Sequence, residues 1–167
     1  MNSRKLACIG ECLLKLKRLN FLGVYARDKL PEIKRYPSCL IANIDDSYSP
    51  GRHWIAIVYI SPKNTEFFDS IALPPDAYGF SLTTIHTIPY RIQGLSSNVC
   101  GHYCLCYLYY RSQGYSLSKF YQLFSSSDHT WNDSQIRMFV RRAMRASSKC
   151  FSCECPCDQG CCSCNTM

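Results

Sequence analysis

The segment at residues 93–101, Q-G-L-S-S-N-V-C-G, constrains this chain more than any other part of its sequence. It places the carboxamide of Gln93 a short polar loop ahead of Cys100, and residues 102–113 then carry many apolar side chains and no proline or glycine. This pattern predicts a helix that begins near Cys100 and holds its thiol at the helix N-terminus. Such a helix end stabilises a thiolate, so the segment is typical of a nucleophile beside an oxyanion donor.

Two upstream residues complete a set of side chains suited to acyl transfer. His53 stands before the apolar run 55–60 and is predicted to act as the base that takes the thiol proton. Asp69 follows two phenylalanines and is predicted to orient that imidazole by accepting a hydrogen bond from its other nitrogen. Gln93 is predicted to donate its side-chain amide to the oxyanion together with the backbone N–H of Cys100.

Each of these residues has a plainer interpretation when it is taken alone. A histidine before a strand commonly caps or packs, and an aspartate or a Gln-Gly pair commonly begins a turn. Cysteines on a helix face are commonly small buried hydrophobes. The joint order and spacing favour catalysis over these interpretations. Outside the pattern, Cys104 and Trp54 are predicted to pack, and His86 and His102 to be packing or surface residues.

Four motifs in this order resemble the adenovirus protease family of cysteine peptidases, which includes proteases of Polinton/Maverick transposable elements and of large DNA viruses. They are F-x-G-x-Y with D-x-L-P at 21–31, G-x-H-W at 51–54, the acid after F-F, and Q-G-x-x-S-x-x-C-G at 93–101. The resemblance covers residues from about 21 to about 145, which is most of the chain.

The resemblance implies an α+β fold of the adenain type, in the papain-like clan, with a small mixed sheet packed against the helix that carries the nucleophile. It implies a cysteine endopeptidase that cleaves viral or capsid precursor proteins at Gly-containing sites during viral or transposon virion maturation. The triad would be His53, Asp69 and Cys100, with Gln93 in the oxyanion hole. No cofactor is required for that chemistry, although DNA is an implied activator.

Details of the motifs separate branches of the wider clan. The SUMO-specific proteases share these roles but place the glutamine one residue nearer the cysteine, whereas the spacing from Gln93 to Cys100 is the adenoviral one. Asp69 stands where adenoviral enzymes usually carry glutamate, which favours a divergent viral or transposon member. No cysteine lies between Cys39 and Cys100, so activation through a disulfide-linked peptide is not implied. Open alternatives are a SUMO or ubiquitin-like deconjugating protease, an inactive binding module of the same fold, and a metal-buffering protein.

Length and composition agree with one compact protease domain at residues 1–149. A chain of 167 residues with 47% hydrophobic content can bury a single core. It lacks an apolar run long enough for a transmembrane span, and charged residues interrupt any secretory signal. These features predict a location inside the cell, where thiols stay reduced. The resemblance implies the host nucleus or the virion, and the protein is predicted to be a monomer.

Hydrophobic periodicity predicts strands followed by helices, which indicates α+β. A helix is predicted at 4–19, and the last helix is predicted to be capped by residues 133–135. A short helix is predicted at 118–124. The predicted strands are 39–44, 54–60, 65–68 and 82–88.

Arginines on the last predicted helix contribute to the net charge of +7. Arg137, Arg141 and Arg145 recur every four residues and share one face, which Arg142 borders. A solvated face and a DNA-phosphate contact are both open interpretations.

The tail at 150–167 is predicted to be a separate segment rich in cysteine. Its thiolates are candidate ligands for zinc or copper, or candidate acylation sites, and an unstructured tail is the plainer alternative. These residues are Cys150, Cys153, Cys155, Cys157, Cys161, Cys162 and Cys164.

Overall fold

The computed structural model describes residues 1–14, 19–83 and 85–146, so the predictions about the cysteine-rich tail lie outside the described residues. Within these ranges five strands form one sheet in sequence order. The first and last strands run parallel to their neighbours, whereas the three central strands are antiparallel, so the sheet is mixed. The strands are β1 (Asn20–Tyr25), β2 (Ser38–Asn43), β3 (Trp54–Ser61), β4 (Asn64–Phe68) and β5 (Ile85–His86).

Helices join this sheet to give the α+β class, so the predicted class is confirmed. Short 3-10 turns at Arg27–Lys29 and Pro75–Tyr78 connect the strands. The α-helices of the described residues are α1 (Ser3–Leu14), α2 (Cys100–Ser112), α3 (Leu117–Tyr121) and α4 (His129–Ala146).

The central strands are buried on both faces, which explains their continuous apolar runs. Every residue of β2 is buried, and alternate side chains enter different clusters. Cys39 and Ile41 belong to the larger cluster with α1, α2 and α4, whereas Leu40 and Ala42 join a smaller one with Phe80. The sheet therefore carries the helical layer on one face and loop-borne side chains on the other.

A glycine lets α1 approach the start of α2 closely. A Cβ at Gly101 would lie only 2.9 Å from Leu6 Cδ2, and Leu6 is fully buried. The small residue directly after Cys100 therefore lets α1 pack against the N-terminal turn of α2 and hold it in place.

The two ends of the first helical region differ from the prediction. α1 begins at Ser3, and the predicted end at residue 19 is wrong because Leu19 lies in a bend that leads into β1. Residues 15–18 lie outside the described residues. β1 was not predicted as a strand, since Gly23 interrupts its pattern at a φ of 122° and the pairing with β2 shifts register between Phe21 and Val24.

The predicted cap of the last helix is also wrong. α4 begins at His129, and Asp128 Oδ1 accepts a hydrogen bond from the Trp131 backbone N–H at 2.8 Å. Asp133 instead turns inward, where it accepts hydrogen bonds from Tyr103 Oη at 3.0 Å and from the backbone N–H of Gly94. A capping-like sequence at 133–135 therefore serves tertiary contacts rather than a helix end.

Two short elements are shorter than predicted. β5 contains only Ile85 and His86, because its parallel pairing with β4 reaches no further than these two residues. α3 spans Leu117–Tyr121, not residues 118–124, and Ser116 caps it by accepting from the Lys119 N–H.

Candidate active site

Three separate elements bring the predicted catalytic residues to one end of the sheet. His53 directly precedes β3, Asp69 directly follows β4, and Cys100 is the first residue of α2. Because β3 and β4 are antiparallel, with Ala56 paired to Phe68, the start of one strand adjoins the end of the other. Residues far apart in the sequence therefore meet here.

Asp69 holds the imidazole of His53 through a short hydrogen bond. His53 Nε2 lies 2.6 Å from Asp69 Oδ1, and the two side chains are 11% and 1% exposed. The same carboxylate accepts from the backbone N–H groups of Ile71 at 3.0 Å and Leu73 at 3.2 Å. It also accepts from Tyr78 Oη at 2.7 Å. Four donors thus fix the carboxylate, and one ring nitrogen of His53 is left to face the thiol.

The thiol of Cys100 lies against that imidazole at a helix N-terminus. Burial raises the pKa of Cys100, but a hydrogen bond to His53 and the charge of the imidazolium outweigh burial and lower it. Backbone N–H groups of Trp54 and Gly101 lower the pKa further by donating to the sulfur. One of these donors, Gly101, belongs to the first turn of α2, where backbone N–H groups lack partners within the helix, and the other, Trp54, begins β3.

The pKa of the His53 imidazole shifts in the opposite direction from that of the Cys100 thiol. Burial lowers the pKa of His53, but hydrogen bonds to Asp69 and Cys100, with their negative charges, outweigh it and raise the pKa to about 9. A lowered thiol pKa beside a raised imidazole pKa favours a thiolate–imidazolium pair over a neutral thiol and imidazole. This is the protonation state in which a cysteine is nucleophilic and its partner can donate a proton.

Gln93 lies buried beside the loop that leads to the nucleophile. Its side chain is 3% exposed, and Oε1 accepts from Ser70 Oγ at 2.6 Å. Nε2 donates to the backbone carbonyl of Ser97 at 2.9 Å, three residues before Cys100. A carboxamide nitrogen carries two N–H donors, so one remains for a ligand.

Other cysteines in the core contrast with Cys100. Burial raises the pKa of Cys39 to about 12, and it raises the pKa values of Cys104 and Cys106 as well. Cys104 is fully buried and donates its S–H to the Trp54 carbonyl at 3.4 Å, in agreement with the predicted packing role. Among Cys39, Cys100, Cys104 and Cys106, only Cys100 combines a lowered pKa with an imidazole partner.

Two other histidines, His86 and His102, share no hydrogen bond with the candidate triad in the described part of the chain. His86 is exposed on β5. Burial, reinforced by nearby positive charges that include Arg137 and Lys5, lowers the pKa of His102 to about 4. The imidazole of His102 is therefore neutral at physiological pH, and its Nδ1 has no hydrogen-bond partner within the described residues.

Sequence reasoning missed two side chains that hold the candidate triad and oxyanion donor. Tyr78 reaches Asp69 from the 3-10 turn Pro75–Tyr78, and its ring lies 6.2 Å from that of His53. Ser70 follows Asp69 directly, where a serine reads only as a turn residue. Neither carries a periodic or motif signal, because each acts through a turn whose shape is set by tertiary contacts.

The arginine face of α4 lies on the surface. Arg137, Arg141, Arg142 and Arg145 are all exposed, and none forms an ion pair with another described residue. The same described residues contain no group of three or more side chains that could hold a metal ion. They also contain no helix with the length and apolar character needed to cross a membrane.

Comparison with known proteins adds no assignment. No protein-family model matches the chain, and no curated protein matches its sequence.

Proposed function

We propose that the protein is a cysteine endopeptidase with Cys100 as nucleophile, His53 as general base and acid, Asp69 as orienter and Gln93 as oxyanion donor. One observation carries the proposal: a thiol with a lowered pKa at a helix N-terminus contacts an imidazole that a buried carboxylate holds at 2.6 Å. An arrangement of nucleophile, base and orienter is the recurring signature of covalent catalysis.

The geometry supports acyl transfer in two stages. The Cys100 thiolate attacks the scissile carbonyl, an S–C bond forms, and the carbonyl electron pair moves onto oxygen. Nε2 of Gln93 and the backbone N–H of Cys100 are the donors for that oxyanion. His53 then gives its proton to the departing amine, which leaves a thioester, and later removes a proton from the water that hydrolyses it. Asp69 stabilises the imidazolium throughout.

The substrate class rests on the family resemblance. The motif order and the mixed sheet with its nucleophile-bearing helix support an adenain-like fold within the papain-like clan. We therefore propose cleavage at Gly-containing sites in viral or transposon precursor proteins.

Contact between the exposed arginines of α4 and DNA is a separate proposal about a partner. Four cations without ionic partners among the described residues suit sequence-independent phosphate binding. Replacing Arg137 and Arg141 by glutamine should weaken duplex binding and flatten its salt dependence by about two phosphate contacts. Undetectable binding of wild-type protein to duplex DNA at low salt would remove this proposal.

Two irreversible probes test the catalytic proposal. One is a peptide ending in a Gly-Gly vinyl methyl ester, and the other is a ubiquitin-like protein with the same reactive C-terminus. Intact-mass spectrometry should show one peptide adduct on wild-type protein, mapped to Cys100, and no adduct on Cys100→Ser. Cys104→Ser is the matched control, since it makes the same change one helical turn away and should retain labelling.

The outcomes separate the candidate functions. Labelling chiefly by the ubiquitin-like probe would move the function to deconjugation. If neither probe labels Cys100, with or without added DNA, an inactive binding module becomes the better account.

A further inference from the structure

Ser70 connects the turn that carries the triad acid to the oxyanion glutamine. Its side chain is fully buried, and its Oγ lies 2.6 Å from Gln93 Oε1. Its backbone carbonyl also accepts the N–H groups of Ile92 at 3.0 Å and Gln93 at 3.1 Å. One residue therefore holds both the main chain and the side chain of the oxyanion donor.

The contacts of the carboxamide determine which end faces the reacting atoms. The Ser97 carbonyl can only accept, so the group 2.9 Å from it must be the nitrogen Nε2. Oε1 then faces Ser70, whose hydroxyl can donate to it. Without that hydroxyl, Oε1 would be a buried acceptor with no donor from Ser70, and the carboxamide would be released to rotate.

The turn that carries Ser70 is itself held firmly. Asp69 accepts from the backbone N–H groups of Ile71 and Leu73 with its carboxylate, and its carbonyl accepts from Ala72 at 2.9 Å. Ala72 has a φ of 62°, a conformation that non-glycine residues rarely adopt. Neighbouring structure therefore enforces this turn, which gives Ser70 a fixed position from which to hold Gln93.

We infer that Ser70 is a positioning residue that holds the Gln93 carboxamide with one N–H aimed at the oxyanion. The inference rests on the proposed function, because it concerns the oxyanion step of that same site. Ser70 forms no hydrogen bond with the thiol of Cys100 or the imidazole of His53, so its removal should slow only reactions that pass through an oxyanion.

Two small electrophiles separate these kinds of reaction without knowledge of the protein substrate. Iodoacetamide alkylates a thiolate by displacing iodide, and no oxyanion forms. p-Nitrophenyl acetate acylates it: sulfur bonds to the carbonyl carbon, the electron pair moves to oxygen, and collapse expels p-nitrophenolate to leave a thioester. The rate constant of each reaction at Cys100, measured by peptide-level mass spectrometry over the Cys100→Ser background, is the readout.

Ser70→Ala should lower the acylation rate constant by about 10-fold, which is less than the roughly 10²- to 10³-fold that loss of a whole oxyanion donor causes. Its alkylation rate constant should match that of wild type. In a Gln93→Ala background, Ser70→Ala should have no further effect on acylation, because the group that it positions is gone.

Ser38→Ala is the matched control. Ser38 is equally buried, and its Oγ donates to the Arg35 carbonyl at 2.6 Å, in β2 and away from the site. Both alanine variants remove a buried hydroxyl together with the hydrogen bond that it donates at 2.6 Å, so both should lose thermal stability. Only Ser70→Ala should lower the ratio of acylation to alkylation.

The results separate failure of this inference from failure of the proposed function. An unchanged ratio in Ser70→Ala, with Cys100 reactive, would overturn the positioning role and leave the nucleophile in place. An equal fall in both reactions would also overturn it, since that indicates general distortion. Wild-type Cys100 that reacts with neither reagent above background would overturn the proposed function and this inference together.

Discussion

Two buried carboxylates, Asp69 and Glu66, lie near opposite ends of α2 and have partners of similar chemical type, except that the cation differs. Asp69 accepts from Tyr78 Oη and from His53, whereas Glu66 accepts from Tyr107 Oη at 2.6 Å and from Arg111 at 2.5 Å. Each site therefore combines a carboxylate, a tyrosine hydroxyl and a cation. The cation is Arg111 at the Glu66 site and His53 at the Asp69 site, and only His53 has a thiol, that of Cys100, on its other side.

Arginine keeps its proton at any physiological pH, so the Glu66 site cannot exchange one. Burial lowers the pKa of Arg111, but its hydrogen bonds and charge interaction with Glu66 outweigh burial and raise it further. Histidine titrates in the accessible range and has a second nitrogen, which at the Asp69 site faces Cys100. The same polar arrangement thus suits stability when its cation is arginine and, in the proposed function, proton transfer when its cation is histidine.

Neutralising each carboxylate in turn should give the largest difference between the two sites. Asp69→Asn removes the charge that stabilises imidazolium and permits the wrong tautomer, so peptide cleavage should fall by about 10⁴-fold. Glu66→Gln should leave cleavage within about 2-fold but lower the free energy of unfolding by about 3 kcal/mol, because Arg111 loses its buried partner. Turnover measurements and urea denaturation of both variants check this. Equal losses of activity in the two variants would erase the distinction between the sites.

The second prediction concerns Gln93, the proposed oxyanion donor near the N-terminal end of α2. Gln93→Ala should reduce kcat by about 10²- to 10³-fold with little change in KM, since the donor acts on charge that develops in the transition state. Gln113→Ala, at the other end of α2, is the matched control and should keep full activity. A change confined to KM would assign Gln93 to substrate binding instead.

The two tyrosines give the smallest effects. Tyr78→Phe removes one of four donors to Asp69 and should lower kcat by about 5-fold, which corresponds to roughly 1 kcal/mol. Tyr107→Phe should leave kcat unchanged and lower the free energy of unfolding by about 1–2 kcal/mol. Steady-state kinetics and thermal denaturation of both variants test these two predictions. An activity loss in Tyr107→Phe alone would reverse the proposed roles.

Sequence reasoning singled out His53, Asp69 and Cys100 because their chemistry coincides with element boundaries, and Gln93, which lies in a loop, because of its motif spacing from Cys100. His53 and Asp69 border apolar strands, and Cys100 opens a helix, so periodicity and motif spacing both mark them. The α+β class followed from the same periodicity. The structure places the imidazole of His53 in contact with both the carboxylate of Asp69 and the thiol of Cys100.

Other features depend on contacts that periodicity does not encode. Tyr78 and Ser70 reach the site from turns, and nothing in their local sequence distinguishes them from surface residues. Asp133 has the sequence context of a helix cap but is buried against Tyr103. β1 was not predicted because Gly23, which has a positive φ, interrupts its sequence pattern. The strand is defined by its pairing with β2.

The pH dependence of the site follows from the directions of the two pKa shifts. The thiolate of Cys100 forms as pH rises through its lowered pKa, and the His53 imidazolium persists until pH passes about 9. Because the folded-state pKa of His53 is raised, the stability that protonation of His53 contributes is fully present below the ordinary histidine pKa. It is lost as pH rises through about 9. Peptide cleavage should fall over that same upper range, because the proton for the leaving amine is gone.

The most direct measurement is the rate constant for iodoacetamide alkylation of Cys100 as a function of pH, resolved by mass spectrometry for each cysteine. It tests whether His53 and its partner Asp69 lower the pKa of the Cys100 thiol. The account predicts that Cys100 reacts rapidly at a pH well below the ordinary thiol range, and that Asp69→Asn shifts its profile upward toward that range. Buried Cys104 and Cys106 should stay unreactive under the same conditions. A Cys100 profile that rises only in the ordinary thiol range, or that Asp69→Asn does not move, would contradict the account.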